Sequence, residues 1–219
     1  MKVLLAFPEN VVVKQFSEYV KRDAEAKKCT YKHIDIEFKP TGYTDFETSY
    51  HITDAFKKRD MHLVLYAGLA NSLNNMMKTG EVVNVINELP YQYGQTENNE
   101  FSSAYQLNWL NRNEYPHQRG GFINLTNSYF NIFLPIMKTA AISCRTLGGT
   151  QEELDYKLKN YPIHIETGNG LAFQYACLYK RIGFYQLRAI EKNYLTKVEN
   201  KDLAIKNLNK ELIRIIDLL

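Results

Sequence analysis

The sequence is poor in the features that mark several functional classes. It has only three cysteines, Cys29, Cys144 and Cys177, an odd number without metal-ligand spacing. They read as structural thiols in a reducing compartment. No two histidines stand at ligand spacing, so metal catalysis is not expected. No Walker-type loop and no Gly-x-Gly-x-x-Gly follows a strand-like run. That disfavours nucleotide phosphates and dinucleotides, and no cofactor is expected. The formal net charge is +3, with no basic run interleaved with aromatics, so nucleic acid is not an expected partner. No window approaches the ~18 apolar residues of a membrane span. The first apolar run, about six residues long, is shorter than the ~7–15-residue core of a signal peptide. It reads as a buried strand, and the expected location is the cytoplasm.

What is present suits a packed core. The 219 residues are 45% hydrophobic and 23% charged, as expected for one globular domain spanning 1–219. Residues 3–7 read as the first strand. Val13, Phe16, Val20 and Ala24 recur at helical spacing over 13–28, and His33-Ile34-Asp35-Ile36-Glu37-Phe38 alternates as a half-exposed strand. A second helix is expected over 46–58 and a short buried strand over 62–66. Ala67-Gly68-Leu69-Ala70-Asn71-Ser72-Leu73-Asn74 reads as a small-residue loop. Strands follow at 80–88 and 139–146, and Thr150 with Glu153 forms a capping-box signature. The polar middle, 91–121, has little periodicity beyond a possible amphipathic turn at 101–110. A loop of that length is usually functional or interfacial. Near the end, Leu203, Ile205, Leu208, Leu212, Ile215 and Ile216 mark a closing amphipathic helix.

The chain is organised around residues 161–194. Ile163–Ile165 is a β-branched run and Glu166-Thr167-Gly168-Asn169-Gly170 is a turn. An apolar helix over 171–181 follows, with Gly183 as its C-terminal cap, and then a buried strand over 184–190. As a βαβ unit this implies parallel strands, with the turn and residues 191–193 at one ligand-binding edge of the sheet. The alternation of strands and helices points to α/β with a mixed sheet.

The order of these segments resembles the nucleoside phosphorylase and nucleosidase superfamily. The residues that carry the likeness are Glu9 after the first strand, Thr41-Gly42, the 68–74 segment, Thr79-Gly80-Glu81-Val82-Val83, Glu166 to Phe173, and Gln186-Leu187-Arg188-Ala189-Ile190. The futalosine hydrolases are the branch it resembles best, beside the methylthioadenosine/adenosylhomocysteine nucleosidases; Glu100-Phe101 and Asn113-Glu114-Tyr115-Pro116 are similar to the futalosine-type insertion. The resemblance implies a three-layer α/β/α sandwich with a mixed central sheet. It also implies cleavage of the bond between ribose and a purine-type base, and a homodimer or higher homo-oligomer.

In that chemistry a glutamate after the first strand activates water, and Glu9 matches it. The glutamate of a Met-Glu-Gly turn holds the ribose hydroxyls, but here the turn is Gly168-Asn169-Gly170. An Asp or Asn after the last strand assists the leaving base. Asn193 matches with one inserted residue, and Lys192 takes the place without it. Gly42 is followed by Tyr43-Thr44-Asp45, another departure. The expected catalytic residues are therefore Glu9 and Asn193, and the expected ligand contacts are Gly68, Asn71, Thr146, Glu166, Gly168 and Asn169. No arginine occurs in 68–74, so water rather than phosphate is the expected nucleophile. An asparagine in place of a ribose-holding carboxylate forfeits charge that favours a cationic transition state, about 2–4 kcal/mol of barrier. A catalytically degenerate homologue that binds a nucleoside or base as a sensor or partner subunit is the alternative.

Overall fold

A computed structural model describes residues 1–23, 26–58, 60–98, 100–126 and 128–219. Five strands close on one another. They are β4 (Leu63–Ser72), β5 (Val82–Pro90), β9 (Met137–Ser143), β10 (Ile165–Thr167) and β11 (Phe184–Asn193). β11 pairs with both β4 and β5, β5 with β9, β9 with β10, and β10 with β4. From β4 the sheet opens outward through β1 (Lys2–Phe7) and β3 (Ile34–Pro40) to β2 (Lys28–Tyr31). The short β8 (Phe122–Ile123) pairs with β5 and β12 (Val198–Glu199) with β11. A separate hairpin joins β6 (Gly94–Glu97) to β7 (Glu100–Ser103).

Helices cover both faces, giving an α/β fold with a mixed central sheet. On one face α1 (Lys14–Tyr19), α3 (Phe130–Phe133) and α6 (Lys201–Leu218) pack Phe16, Phe133, Leu208, Leu212 and Ile215 against Val3, Leu5, Ile36, Leu65 and Leu187. On the other face α2 (Asp45–Ala55) and α5 (Gly170–Tyr179) bury Ile52, Phe173 and Cys177 over Leu4, Val64, Tyr66 and Phe184. α4 (Gln151–Asn160) covers a smaller cluster through Leu154. Strand alternation explains both layers: odd and even residues of β1, β4 and β11 go to opposite clusters.

Several elements differ from expectation. The first helix ends at Tyr19 rather than 28, because Lys21 turns the chain with φ of 55° and β2 is needed to pair with β3; Ala24 of the expected helical stripe lies outside the described residues. The 67–74 segment is not a loop. β4 runs on through Ser72, its small residues leaving room for large side chains from β11. Of the turn expected over 101–110, Phe101 sits in β7 and the turns occupy 104–110. The left-handed residue after α5 is Arg181 (φ 56°), not Gly183.

The largest correction concerns β10 and β11. They do not pair, and they are not parallel: β10 runs antiparallel to β4 while β11 runs parallel to it. Both flank the C-terminal end of β4, since Ile165 and Asn193 each pair with Ser72. From there β10 leads its following turn back along the barrel. Asn169 therefore arrives beside Arg188, which pairs with Gly68, rather than beside Asn193.

Candidate functional site

A cleft of about 1390 Å³ lies between the N-terminal ends of α2 and α5, the middle of β11 and the 91–122 segment. One wall is aromatic, with Tyr93, Tyr105, His117, Phe122 and Tyr175. His117, Phe122 and Tyr175 follow one another with ring centroids 4.9 and 5.6 Å apart, and the Tyr105 hydroxyl is 3.0 Å from His117 Nδ1. Partial burial lowers the His117 pKa, favouring a neutral imidazole. The polar middle of the sequence thus supplies most of an aromatic wall.

The opposite corner is polar, and the residues there come from three elements. Asn169 stands at the α5 N-terminus and is 3% exposed. Its amide nitrogen donates to Tyr66 Oη (2.7 Å), Thr48 Oγ1 (3.0 Å) and the Gly42 carbonyl (3.1 Å). Its amide oxygen accepts from Arg188 Nη2 at 3.0 Å. Arg188 is 2% exposed, lies 4.4 Å over the Tyr66 ring and donates from Nη1 to the Leu69 carbonyl. A Cβ on Gly68 would stand 2.6 Å from Nη1, so only glycine leaves the guanidinium its place. Beneath lies Glu88, fully buried, accepting from Thr167 Oγ1 (2.5 Å), Ser143 Oγ and Gln186 Nε2 (both 2.9 Å). Burial raises its pKa against the pull of Arg188 and these donors.

Acidic groups edge the same corner. Asp45, in the first turn of α2, is half-buried. Burial raises its pKa, against the Ala172 backbone and the charges of Arg145 and Arg188. Glu191 is the extra residue of a β-bulge between Ile190 and Lys192, which turns it into the cleft. Its pKa is also raised, first by burial. Glu9 follows β1 between the cleft-lining Pro8 and Val12 and accepts a hydrogen bond from Tyr43. The Tyr43 hydroxyl is shifted upward by burial, by that bond and by the charges of Glu9 and Glu191, which places these three groups together at the mouth.

Of the residues singled out in the sequence, Gly168 and Asn169 line the cleft, Glu9 borders it through Tyr43, and Gly68 backs Arg188. The others lie elsewhere. Glu166 is fully buried in an ion pair with Lys157 (2.8 Å) and also accepts from Gly148 N–H (2.5 Å) and the Tyr194 hydroxyl (2.6 Å). Asn71 donates to Tyr194 Oη, within that network. Thr146 lines a separate hollow of about 350 Å³. Asn193 holds the Asn74 and Met77 carbonyls with its amide nitrogen and the Leu195 and Thr196 N–H groups with its oxygen, so it closes a turn. The sequence reading missed Asp45 and Arg188. A charge inside the strand-like run 184–190 was the available signal for Arg188; Asp45 carried none. Among the described residues no cluster of three or more His, Cys, Asp or Glu could hold a metal, and no helix is long and apolar enough to cross a membrane.

No family model and no curated protein matches the sequence. Solved structures do match, over the whole chain. The methylthioadenosine/adenosylhomocysteine nucleosidase of Campylobacter jejuni superposes with TM-score 0.81 at 10% identity, covering 100% of both chains. A futalosine hydrolase mutant of Helicobacter pylori gives 0.77 at 14%, again covering 100% of both. A nucleosidase described as methylthioadenosine-type from Weissella paramesenteroides gives 0.72 at 14%, covering 99% of this chain and 95% of the other. The chain has the fold of the futalosine hydrolases and methylthioadenosine/adenosylhomocysteine nucleosidases it matches.

Proposed function

We propose that this protein binds a purine-type nucleoside or base in the cleft and does not carry out the hydrolysis associated with its fold. The observation that carries this is the state of Asn169. It is neutral, and both its amide atoms are already engaged by Tyr66, Thr48, Gly42 and Arg188. Cleavage of a ribosyl bond develops positive charge on the sugar, and anionic neighbours lower that barrier. Here the turn carries the neutral Asn169 with a buried guanidinium beside it, and the carboxylates that edge the corner, Asp45 and Glu191, belong to other elements. The second expected group is missing as well, because Asn193 is turned into its own loop. Two such losses, at about 2–4 kcal/mol each, remove about three to six decades of rate. Binding needs neither group. The aromatic wall suits a flat base, and one structure of the same fold holds 5′-methylthioadenosine in its active site.

Hydrolysis is the second reading, favoured by one observation: Glu9 and Glu191 both act on Tyr43, so two carboxylates border the mouth and one could activate water. The deciding experiment incubates the protein and its Glu9→Gln variant with futalosine, methylthioadenosine, adenosylhomocysteine, inosine and adenosine. Free base is then followed by chromatography. The binder reading expects no release from either protein; release that disappears in Glu9→Gln overturns it.

A further inference from the structure

The cleft contains two unsatisfied polar atoms of opposite kind. Asp45 Oδ1 and Arg188 Nε are both buried without a hydrogen-bond partner, and both residues line the cleft. An unpaired acceptor and an unpaired cationic donor are each costly in a protein interior. They do not relieve one another, because no ion pair joins them among the described residues although the charge of Arg188 acts on Asp45. The Arg188 guanidinium is held rigidly by Leu69, Asn169 and the Tyr66 ring, so Nε cannot swing to another partner. Gly168 lines the same cleft, and a Cβ there would meet only the Tyr43 carbonyl oxygen, at 3.6 Å, so the wall leaves room at that point.

We propose that Asp45, from α2, supplies the carboxylate that holds a vicinal diol of the ligand, with Arg188 Nε as the matching donor. This rests on the nucleoside-binding reading and deepens it. A hydroxyl is both donor and acceptor, so two adjacent hydroxyls can donate to Asp45 while accepting from Arg188. Burial keeps Asp45 in a region where such hydrogen bonds gain strength. The remaining geometry agrees: the apolar aromatic wall faces a flat ring, and the acid–guanidinium corner faces the sugar. Asn169 then acts through Arg188, which it orients, rather than on the ligand.

The test is calorimetric titration of the whole protein with adenosine, inosine and guanosine, each beside its 2′,3′-dideoxy counterpart and its free base. For whichever base binds, the ribonucleoside should bind about ten-fold or more tighter than the dideoxynucleoside, as for hydrogen bonds to charged groups. Asp45→Asn should erase that gap and leave free-base affinity unchanged. The dideoxy comparison uses the wild-type protein, so it stands even if the variant folds poorly. Equal binding of ribo- and dideoxynucleosides, or a gap that survives Asp45→Asn, overturns the diol assignment while leaving the nucleoside-binding reading intact. No binding of any nucleoside or base overturns both.

Discussion

Replacing Lys157 by Met should destabilise the protein by about 3–5 kcal/mol, the usual cost of leaving a buried charge without its partner. The side chains of Lys157 and Glu166 are 2% and 0% exposed and pair at 2.8 Å. Met fills similar volume, so the loss is one of charge and hydrogen bonding rather than of packing. Lys157 also donates to the Gly148 carbonyl at 2.6 Å, while Gly148 N–H donates to Glu166. Both backbone groups of Gly148 therefore hang on the pair, and the 144–149 segment that carries Arg145 and Leu147 to the cleft is fixed by it. For a chain of this size the loss corresponds to a fall in Tm of roughly 6–20 °C. Urea denaturation followed by circular dichroism reads it as a lower midpoint at unchanged slope. A loss under about 1 kcal/mol would mean that the remaining donors, Tyr194, Gly148 and Asn71, neutralise Glu166 unaided, and would refute the reasoning.

Other perturbations test the rest of the site. Gly170→Ala places a Cβ 2.5 Å from the Glu88 carboxyl atoms; because Glu88 is pinned by three side chains, we expect a loss of about 1–3 kcal/mol in the same denaturation assay. Glu88 also gives a pH prediction. Its folded-state pKa lies above the ordinary 4.5, so in the window between the two values the folded state holds more protons than the unfolded. Its contribution is fully present below 4.5 and is lost as pH rises through the folded value. Glu88→Gln should therefore flatten the decline in stability as pH rises above 4.5 relative to wild type; parallel curves would contradict this.

Local chemistry made much of the fold legible. The alternation of His33 to Phe38 gave β3, Thr150 and Glu153 form the anticipated reciprocal cap at 3.3 and 2.8 Å, and the spacing of Leu208, Leu212 and Ile215 gave the buried face of α6. What was not legible is set by closure of the barrel. Ala67, Gly68 and Ala70 have loop-like composition, yet they are strand residues, and Gly68 must be small to admit Arg188, a requirement that exists only once β4 and β11 lie side by side. The same closure reverses β10 relative to β11, which separates Asn193 from Asn169 and leaves Glu191, displaced by a bulge, as the β11 carboxylate that faces the cleft. Asp45 shares no motif with Arg188; only the packing of α2 over the face of β4 and β11 brings them to one corner.

The central claim is binding without turnover, and one sample can test it. Protein at a concentration above that of the ligand is mixed with each nucleoside, the heat of binding is recorded, and the mixture is then resolved by chromatography. The account predicts saturable heat with at least one purine nucleoside and recovery of that nucleoside intact. Stoichiometric or catalytic appearance of free base would contradict it, as would the absence of heat with every nucleoside and base.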